Sequence, residues 1–306
     1  PLVLVCTSAN RSGAPLIHDP VQARSELHGI ADLLVMHDRP ILFPCDDGVV
    51  KPTVPIPVIR PGRGMAPMTL TLPTGGPSVL ALGGHLKTTV ALSAGTQVVV
   101  SPFVGDLDHP DTCARLEATA HHLLEITGIR PAVIACDLSP DTFSHRLAKR
   151  MAREMNIPCL TIQHHHAHLA AVLAEWPELH GERVLGVALD GHGEGDDGSS
   201  WGGEIFLTRA AGSRRLGHLR PLPLPGGEAA IREPERMAFS VIHAEWPGPD
   251  GAALAAELLP GLSAAARRVL AGLLEAPFNA PWTTSAGRLF DAAAALVLGF
   301  RGPVSY

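Results

Sequence analysis

The chain has 306 residues, 46% of them hydrophobic, 18% charged and 4% aromatic. That length predicts more than one domain, at roughly 100–200 residues each. A core of Val, Leu, Ile and Ala suits aliphatic α/β architecture better than an aromatic-rich sandwich. A formal charge of −6 and a pI near 6.2 give no global electrostatic pull toward nucleic acid, so no nucleic-acid partner is expected.

From 1 to about 75 the sequence is Pro-rich, with short extended pieces at Leu2–Thr7, Leu33–His37 and Val54–Ile59 between turn residues. Pro73-Thr74-Gly75-Gly76-Pro77 reads as a linker. Three strand-like runs follow, Ser78–Leu82, Thr88–Leu92 and Gln97–Ser101, and their short turns predict two tight hairpins. Next come a helix at Asp111–Thr127, a strand at Ala132–Cys136, a helix at Asp141–Met155, a strand at Cys159–Ile162 and a helix from His166 to Glu175. This βββαβαβα order resembles the first lobe of the actin, sugar kinase and heat-shock ATPase superfamily. A second hairpin, Arg183–Asp190 and Ser200–Leu207, matches the start of a second lobe, and Ala/Leu-rich helical segments at Ala252–Leu259, Leu262–Leu274 and Ser285–Leu298 read as a helical subdomain.

The five cysteines are widely spaced and form no CxxC pair, which argues against a disulfide framework or structural zinc site and makes a reducing cytoplasm the simplest compartment. No apolar run approaches the roughly 18–20 residues that span a bilayer, and no secretory leader opens the chain, so no membrane partner is expected. The chain starts at Pro1 without an initiator Met and stops at Tyr306, which predicts a piece of a longer polypeptide.

Four imidazoles sit within five residues in Gln163-His164-His165-His166-Ala167-His168, directly after a strand. His164 and His168 are spaced i, i+4, so a helix that begins by His164 puts both on one face, where they can hold one metal ion. Such a pair needs a third ligand from elsewhere. His165 and His166 are read equally as substrate-orienting or structural. The Asp190–Gly198 segment follows a strand; Gly191 and Gly193 would let backbone amides approach an anion, and Asp190 could hold a metal. Taken alone, the same segment reads as a plain hairpin turn. Gly83, Gly84 and Lys87 form the corresponding turn of the first lobe. Near the N-terminus, Ser8 and Asn10, with Arg60 and Arg63 among glycines, offer donors for a phosphate or adenylate.

In order along the chain, Thr7–Pro15, Ala31–Asp38 with Asp46-Asp47, Arg60–Pro67, Leu80–Thr89, Gly105-Asp106-Leu107, Gln163–Ala171, Leu189–Glu204 and Ser285–Ala293 resemble the HypF family of hydrogenase-maturation carbamoyltransferases. The HHHAH run, the DG…WGGE hairpin and GRLFDA are the specific parts. The resemblance implies an actin-like/ribonuclease-H-like (ASKHA) two-lobed α/β fold with a helical insertion, preceded by a partial YrdC-like segment. Residues 1–75 would be the C-terminal part of the YrdC-like nucleotide-binding domain, 76–178 the first lobe, and 179–306 the start of a truncated second lobe.

The resemblance also implies a reaction. Carbamoyl phosphate and ATP would give carbamoyl-adenylate in the YrdC-like domain, and the carbamoyl group would pass to the C-terminal cysteine of a HypE-type acceptor for cyanide ligand synthesis. His164 and His168 match the family's metal-binding histidines, for iron or zinc, with Mg accompanying ATP. Asp190 matches the acidic residue beside metal and nucleotide and Lys87 the first-lobe lysine, and the resemblance implies these two as the catalytic residues. Ser8, Asn10, Arg60 and Arg63 fall in the YrdC-like nucleotide motifs. The chain lacks the family's acylphosphatase domain, zinc fingers, most of the YrdC-like core and the Gly/Asp-rich segment with the last ligand aspartate. Gly48, Pro61 and Phe103 also depart from the usual residues. These departures predict that residues 1–306 alone cannot make carbamoyl-adenylate. Two other readings fit the motifs: a small-molecule O-carbamoyltransferase of the same superfamily, and a truncated module that binds nucleotide or HypE without catalysis.

Overall fold

A computed structural model describes residues 3–11, 14–41, 43–53, 57–209, 212–276 and 278–304. The chain divides into two compact units, Pro1–Ile162 and Gln163–Tyr306. Among the described residues, no helix is long and apolar enough to cross a membrane.

The first unit opens with helix α1 (Pro20–Glu26), capped by the Asp19 side chain, and a small antiparallel ladder of β1 (Val49–Val50) and β2 (Val58–Arg60). The described residues of the expected strands at Leu2–Thr7 and Leu33–His37 form no strand. Leu2, the Ser12-Gly13 part of the N-terminal motif, and Val54–Ile56 of the third expected strand lie outside the described residues.

The main sheet follows. Strands β3 (Met68–Ala81) and β4 (Ala91–Val100) pair antiparallel; β5 (Val133–Asp137) and β6 (Cys159–Ile162) add in parallel, in the order β4-β3-β5-β6. The three expected strand runs are therefore two strands and one hairpin. The second and third merge into β4, because the Ser93-Ala94-Gly95 stretch continues the ladder instead of turning. The Pro73–Pro77 stretch likewise lies inside β3, where Thr71 to Gly76 faces only Gln97 to Gly95, so Pro and Gly make a bulge within the strand.

Helix α2 (Pro110–Thr127) ends on Gly128 in the left-handed conformation, and α3 (Phe143–Met155) starts on the Thr142 cap. Their inner faces join Leu80, Leu82, Leu92 and Ile134 in one core that includes Leu116, Leu123, Leu147 and Met151. Arg115 of α2 ties the N-terminal segment to this unit, donating to Pro44 O, Asp46 Oδ2 and Phe103 O at 3.0–3.1 Å.

In the second unit, α4 (His164–Glu175) packs on the hairpin of β7 (Val184–Glu194) and β8 (Ser200–Arg209) through Leu169, Ala188, Trp201 and Phe206. Strand β9 (Gly212–His218), not anticipated from sequence, adds to β8. The sheet is completed by β10 (Leu222–Pro223) and β11 (Trp282–Thr283). Helices α5 (Glu228–Arg232), α6 (Pro234–Glu245), α7 (Pro249–Leu258), α8 (Ala264–Glu275) and α9 (Ala286–Leu298) form the Ala/Leu-rich helical part. Phe239, Ile242, Leu259 and Leu270 are buried together there, with Ala295 of α9 against them.

Candidate metal centre

Helix α4 begins at His164 because Gln163 caps it: its side-chain oxygen accepts the His166 N–H at 2.9 Å. The amide nitrogen of Gln163 faces the other way, donating to Glu194 O at 3.0 Å and meeting His165 Nδ1 at 3.1 Å. One side chain thus fixes the start of the helix and joins it to the end of β7.

The i, i+4 spacing brings two imidazoles together on one face of α4. His164 Nε2 and His168 Nε2 lie 3.2 Å apart, and Asp190 Oδ2 stands 3.1 Å from the first and 3.2 Å from the second. Among the described residues, these three form the group of His, Cys, Asp and Glu side chains placed to hold a metal ion. The edges of the triangle match the separation that a cation imposes on ligands bound at about 2.0–2.2 Å, roughly 3–3.5 Å. Two imidazole nitrogens and a carboxylate oxygen are also a donor set suited to zinc or iron(II). His168 is 60% exposed and Asp190 28%, so the centre opens toward solvent on the His168 side. Burial alone would raise the Asp190 carboxyl pKa, but hydrogen bonds with His164, His168 and the Gly191 N–H outweigh it and hold the group well below the usual carboxylate range.

The other two histidines of the run face elsewhere. His165 is fully buried, beside Trp201 with ring centroids 6.1 Å apart. Burial, reinforced by His164, pushes its pKa down to about 4, so it is a neutral core residue at pH 7. Burial also lowers the pKa of His166. Gly193 sits against both neighbours: a Cβ there would lie 2.6 Å from His164 Cδ2 and 2.6 Å from His165 Cε1. Its bareness admits the imidazoles, a use distinct from the anion approach that its spacing suggests.

Sequence reasoning overlooked Glu204 as a site residue, although the WGGE run had marked it. Fully buried in β8, it accepts the N–H groups of Gly202 and Gly203, both at 3.2 Å, and Arg215 Nε at 2.6 Å, with Thr284 Oγ1 also donating. Burial would raise its pKa, yet these donors, Thr284 and Arg215 first, leave it lowered. Arg215 in turn lies over the Trp201 ring, 3.9 Å from its centroid. Arg215 and Thr284 also line an open cleft of about 400 Å³ with Asp197, Ser199 and Trp282.

The remaining candidates belong to the first unit. Gly83 has φ 68° and Lys87 φ 51°, and the Lys87 N–H is hooked to Asp106 Oδ1 at 2.6 Å. Gly84 lies between them in the turn. Ser8 donates to Asn10 Oδ1 at 2.5 Å, and Asn10 donates to Ala14 O at 2.9 Å. Arg60 donates to Asp47 O at 3.2 Å and lies over Phe103, while Arg63 stands 3.6 Å from Asp47 Oδ1. The two arginines thus share the Asp47 loop, whereas Ser8 and Asn10 brace a turn of their own.

Three family models match in succession: Sua5_yciO_yrdC, described as telomere recombination, over residues 1–62; the HypF Kae1-like domain over 74–175; and the second subdomain of the carbamoyltransferase Kae1-like domain over 186–306. The chain belongs to the HypF carbamoyltransferase family. It is 47% identical to carbamoyltransferase HypF2 of Cupriavidus necator, over 100% of this chain and 37% of that protein. It is 42% identical to carbamoyltransferase HypF of Rhizobium leguminosarum bv. viciae, over 96% of this chain and 37% of that protein. A crystal structure of full-length HypF in the phosphate- and nucleotide-bound form superposes with a TM-score of 0.88 at 31% identity, covering 98% of this chain and 38% of that one. The chain therefore spans little more than a third of these HypF relatives, and its mixed α/β architecture is theirs.

Proposed function

We propose that this chain carries the transfer half of an ATP-dependent carbamoyltransferase of NiFe-hydrogenase maturation. Its substrate is carbamoyl-adenylate, made from carbamoyl phosphate and ATP, and its acceptor is the C-terminal cysteine thiolate of a HypE-type protein. The thiolate sulfur bonds to the carbamoyl carbon, the carbon–oxygen bond to AMP breaks, and a thiocarboxamide results, the precursor of the cyanide ligand. The observation that carries this reading is the convergence of His164 Nε2, His168 Nε2 and Asp190 Oδ2 within 3.2 Å of one another.

These three side chains are the proposed ligands of a divalent cation, iron or zinc. When bound, it supplies Lewis-acid polarisation of the carbamoyl oxygen and offsets charge in the transition state. Asp190 brings a full negative charge to the site because its pKa is depressed. The exposed side of His168 leaves room for the substrate. The crystallised HypF relative is described as phosphate- and nucleotide-bound, which supports nucleotide use in this family; Gly83, Gly84, Lys87 and Gly191 are the groups proposed to meet ATP or its adenylate with Mg, and Ser8, Asn10, Arg60 and Arg63 the proposed adenylate contacts. Enclosure of both steps suits the chemistry, since carbamate and its adenylate are short-lived in water.

The test is incubation with ATP, carbamoyl phosphate, metal and a HypE-type acceptor, in the full-length protein, with the mass of the acceptor as readout. A gain of one carbamoyl group, lost in His164→Ala and His168→Ala, is expected. Undiminished transfer in the double variant would overturn the reading.

A further inference from the structure

Asp190 occupies a stretch of β7 that the sheet itself does not hold. From Leu189 to Gly193 the strand covers the span that β8 crosses from Gly203 to Trp201, so Asp190, Gly191 and His192 bulge out of register. Ser285, at the start of α9, meets that bulge. Its Oγ lies 2.9 Å from Asp190 O and 2.8 Å from Gly191 O. The residue is only 4% exposed. As the cap of α9, its oxygen already accepts the Arg288 N–H at 3.2 Å, which leaves the hydroxyl proton to face the two carbonyls.

Packing closes on the same backbone from two sides. A Cβ on Gly287 would stand 2.8 Å from Gly191 Cα, and one on Gly202 would stand 2.6 Å from Asp190 O. Helix α9 and strand β8 therefore touch the bulge without intervening side chains, and Ser285 is the polar group between them.

We infer that Ser285 is a positioning residue for metal ligation: its hydroxyl fixes the Asp190–Gly191 carbonyls and thereby aims the Asp190 carboxylate at the point that His164 and His168 face. This rests on the reading of those three side chains as a cation site. Without the hydroxyl, two half-buried carbonyls lose a donor and the bulge relaxes, so the carboxylate leaves the shared point. Partners of this outer-shell kind change metal affinity about 10- to 100-fold.

Zinc(II) and iron(II), each alone, are titrated into the full chain against a competing chelator, and thermal unfolding is followed with and without metal. Unsubstituted protein is expected to bind, His164→Ala not to bind, and Ser285→Ala to bind about 10- to 100-fold more weakly. Ser285→Thr, which retains the hydroxyl, is expected to bind more tightly than Ser285→Ala. A merely structural cap would lower the metal-free Tm and leave the affinity alone, so folded Ser285→Ala with unchanged affinity overturns the assignment. If Ser285→Ala fails to fold, the near-isosteric Ser285→Cys is read instead: weakened binding supports the role, and undiminished binding overturns it. If unsubstituted protein matches His164→Ala in binding neither metal, the cation site itself fails and the role of Ser285 fails with it.

Discussion

Each unit contains an antiparallel hairpin whose first strand bulges, β3–β4 in one and β7–β8 in the other, and the two bulges differ in what surrounds them. In β3 the extra residues between Thr71 and Gly76 are largely exposed and include Pro73 and Gly75. In β7 the extra residues are Asp190, Gly191 and His192, and buried groups replace the lost register: Glu204 takes the N–H groups of Gly202 and Gly203, and Ser285 Oγ faces the carbonyls of Asp190 and Gly191. A bulge open to water can satisfy its backbone groups from solvent. A bulge with buried backbone groups needs side-chain partners, and those partners hold a side chain in one place.

The largest effect that would break this contrast is at Glu204. Glu204→Ala strands two N–H groups and leaves Arg215 without its buried partner, so a loss of about 3–5 kcal/mol is expected, read by urea unfolding. A loss below about 1 kcal/mol, the worth of an ordinary hydrogen bond, would mean that the carboxylate does not brace the bulge. Gly193→Ala comes next. A methyl group 2.6 Å from both His164 and His165 should cost about 1–3 kcal/mol through overpacking. It should also weaken zinc binding by displacing His164, and unchanged affinity would separate the glycine from the centre.

A third effect is pH dependence. Because the folded pKa of Glu204 is lowered from 4.5, the unfolded chain takes up its proton first. The stabilisation is complete above the unfolded value and is lost as pH falls through the lower folded one. Glu204→Gln should flatten that part of the stability curve, and parallel curves would remove the carboxylate from the account. The smallest effect belongs to the first hairpin. In its exposed bulge a methyl group added to Gly76 meets nothing within 4 Å, so Gly76→Ala should cost no more than about 0.5 kcal/mol, and a larger loss would show that this bulge is braced as well.

How much of this was legible in the sequence follows from the range of each interaction. The histidine pair was readable because i, i+4 spacing is local to one helix, and the helices and parallel strands from 110 to 175 lie close to their expected positions. The hairpin of β3 and β4 was misdivided because Gly and Ser read as turns wherever they occur, while the ladder tolerates them inside a strand. The third apex, Asp190, was placed by resemblance; its neighbouring glycines read as phosphate contacts, whereas Gly193 also makes room for two imidazoles. The roles of Glu204 and Ser285 were not legible because their distant partners are brought close only by the fold: Arg215 of β9 and Thr284 for Glu204, and Asp190 and Gly191 of β7 for Ser285, up to 95 residues away.

The proposed chemistry turns on the three-sided centre of His164, His168 and Asp190. X-ray absorption at the metal edge of zinc-loaded protein tests it directly. Two imidazoles and a carboxylate oxygen in the first coordination sphere are predicted, with one imidazole lost in His168→Ala and the carboxylate lost in Asp190→Ala. A spectrum without imidazole scattering, or one that neither substitution alters, would contradict it.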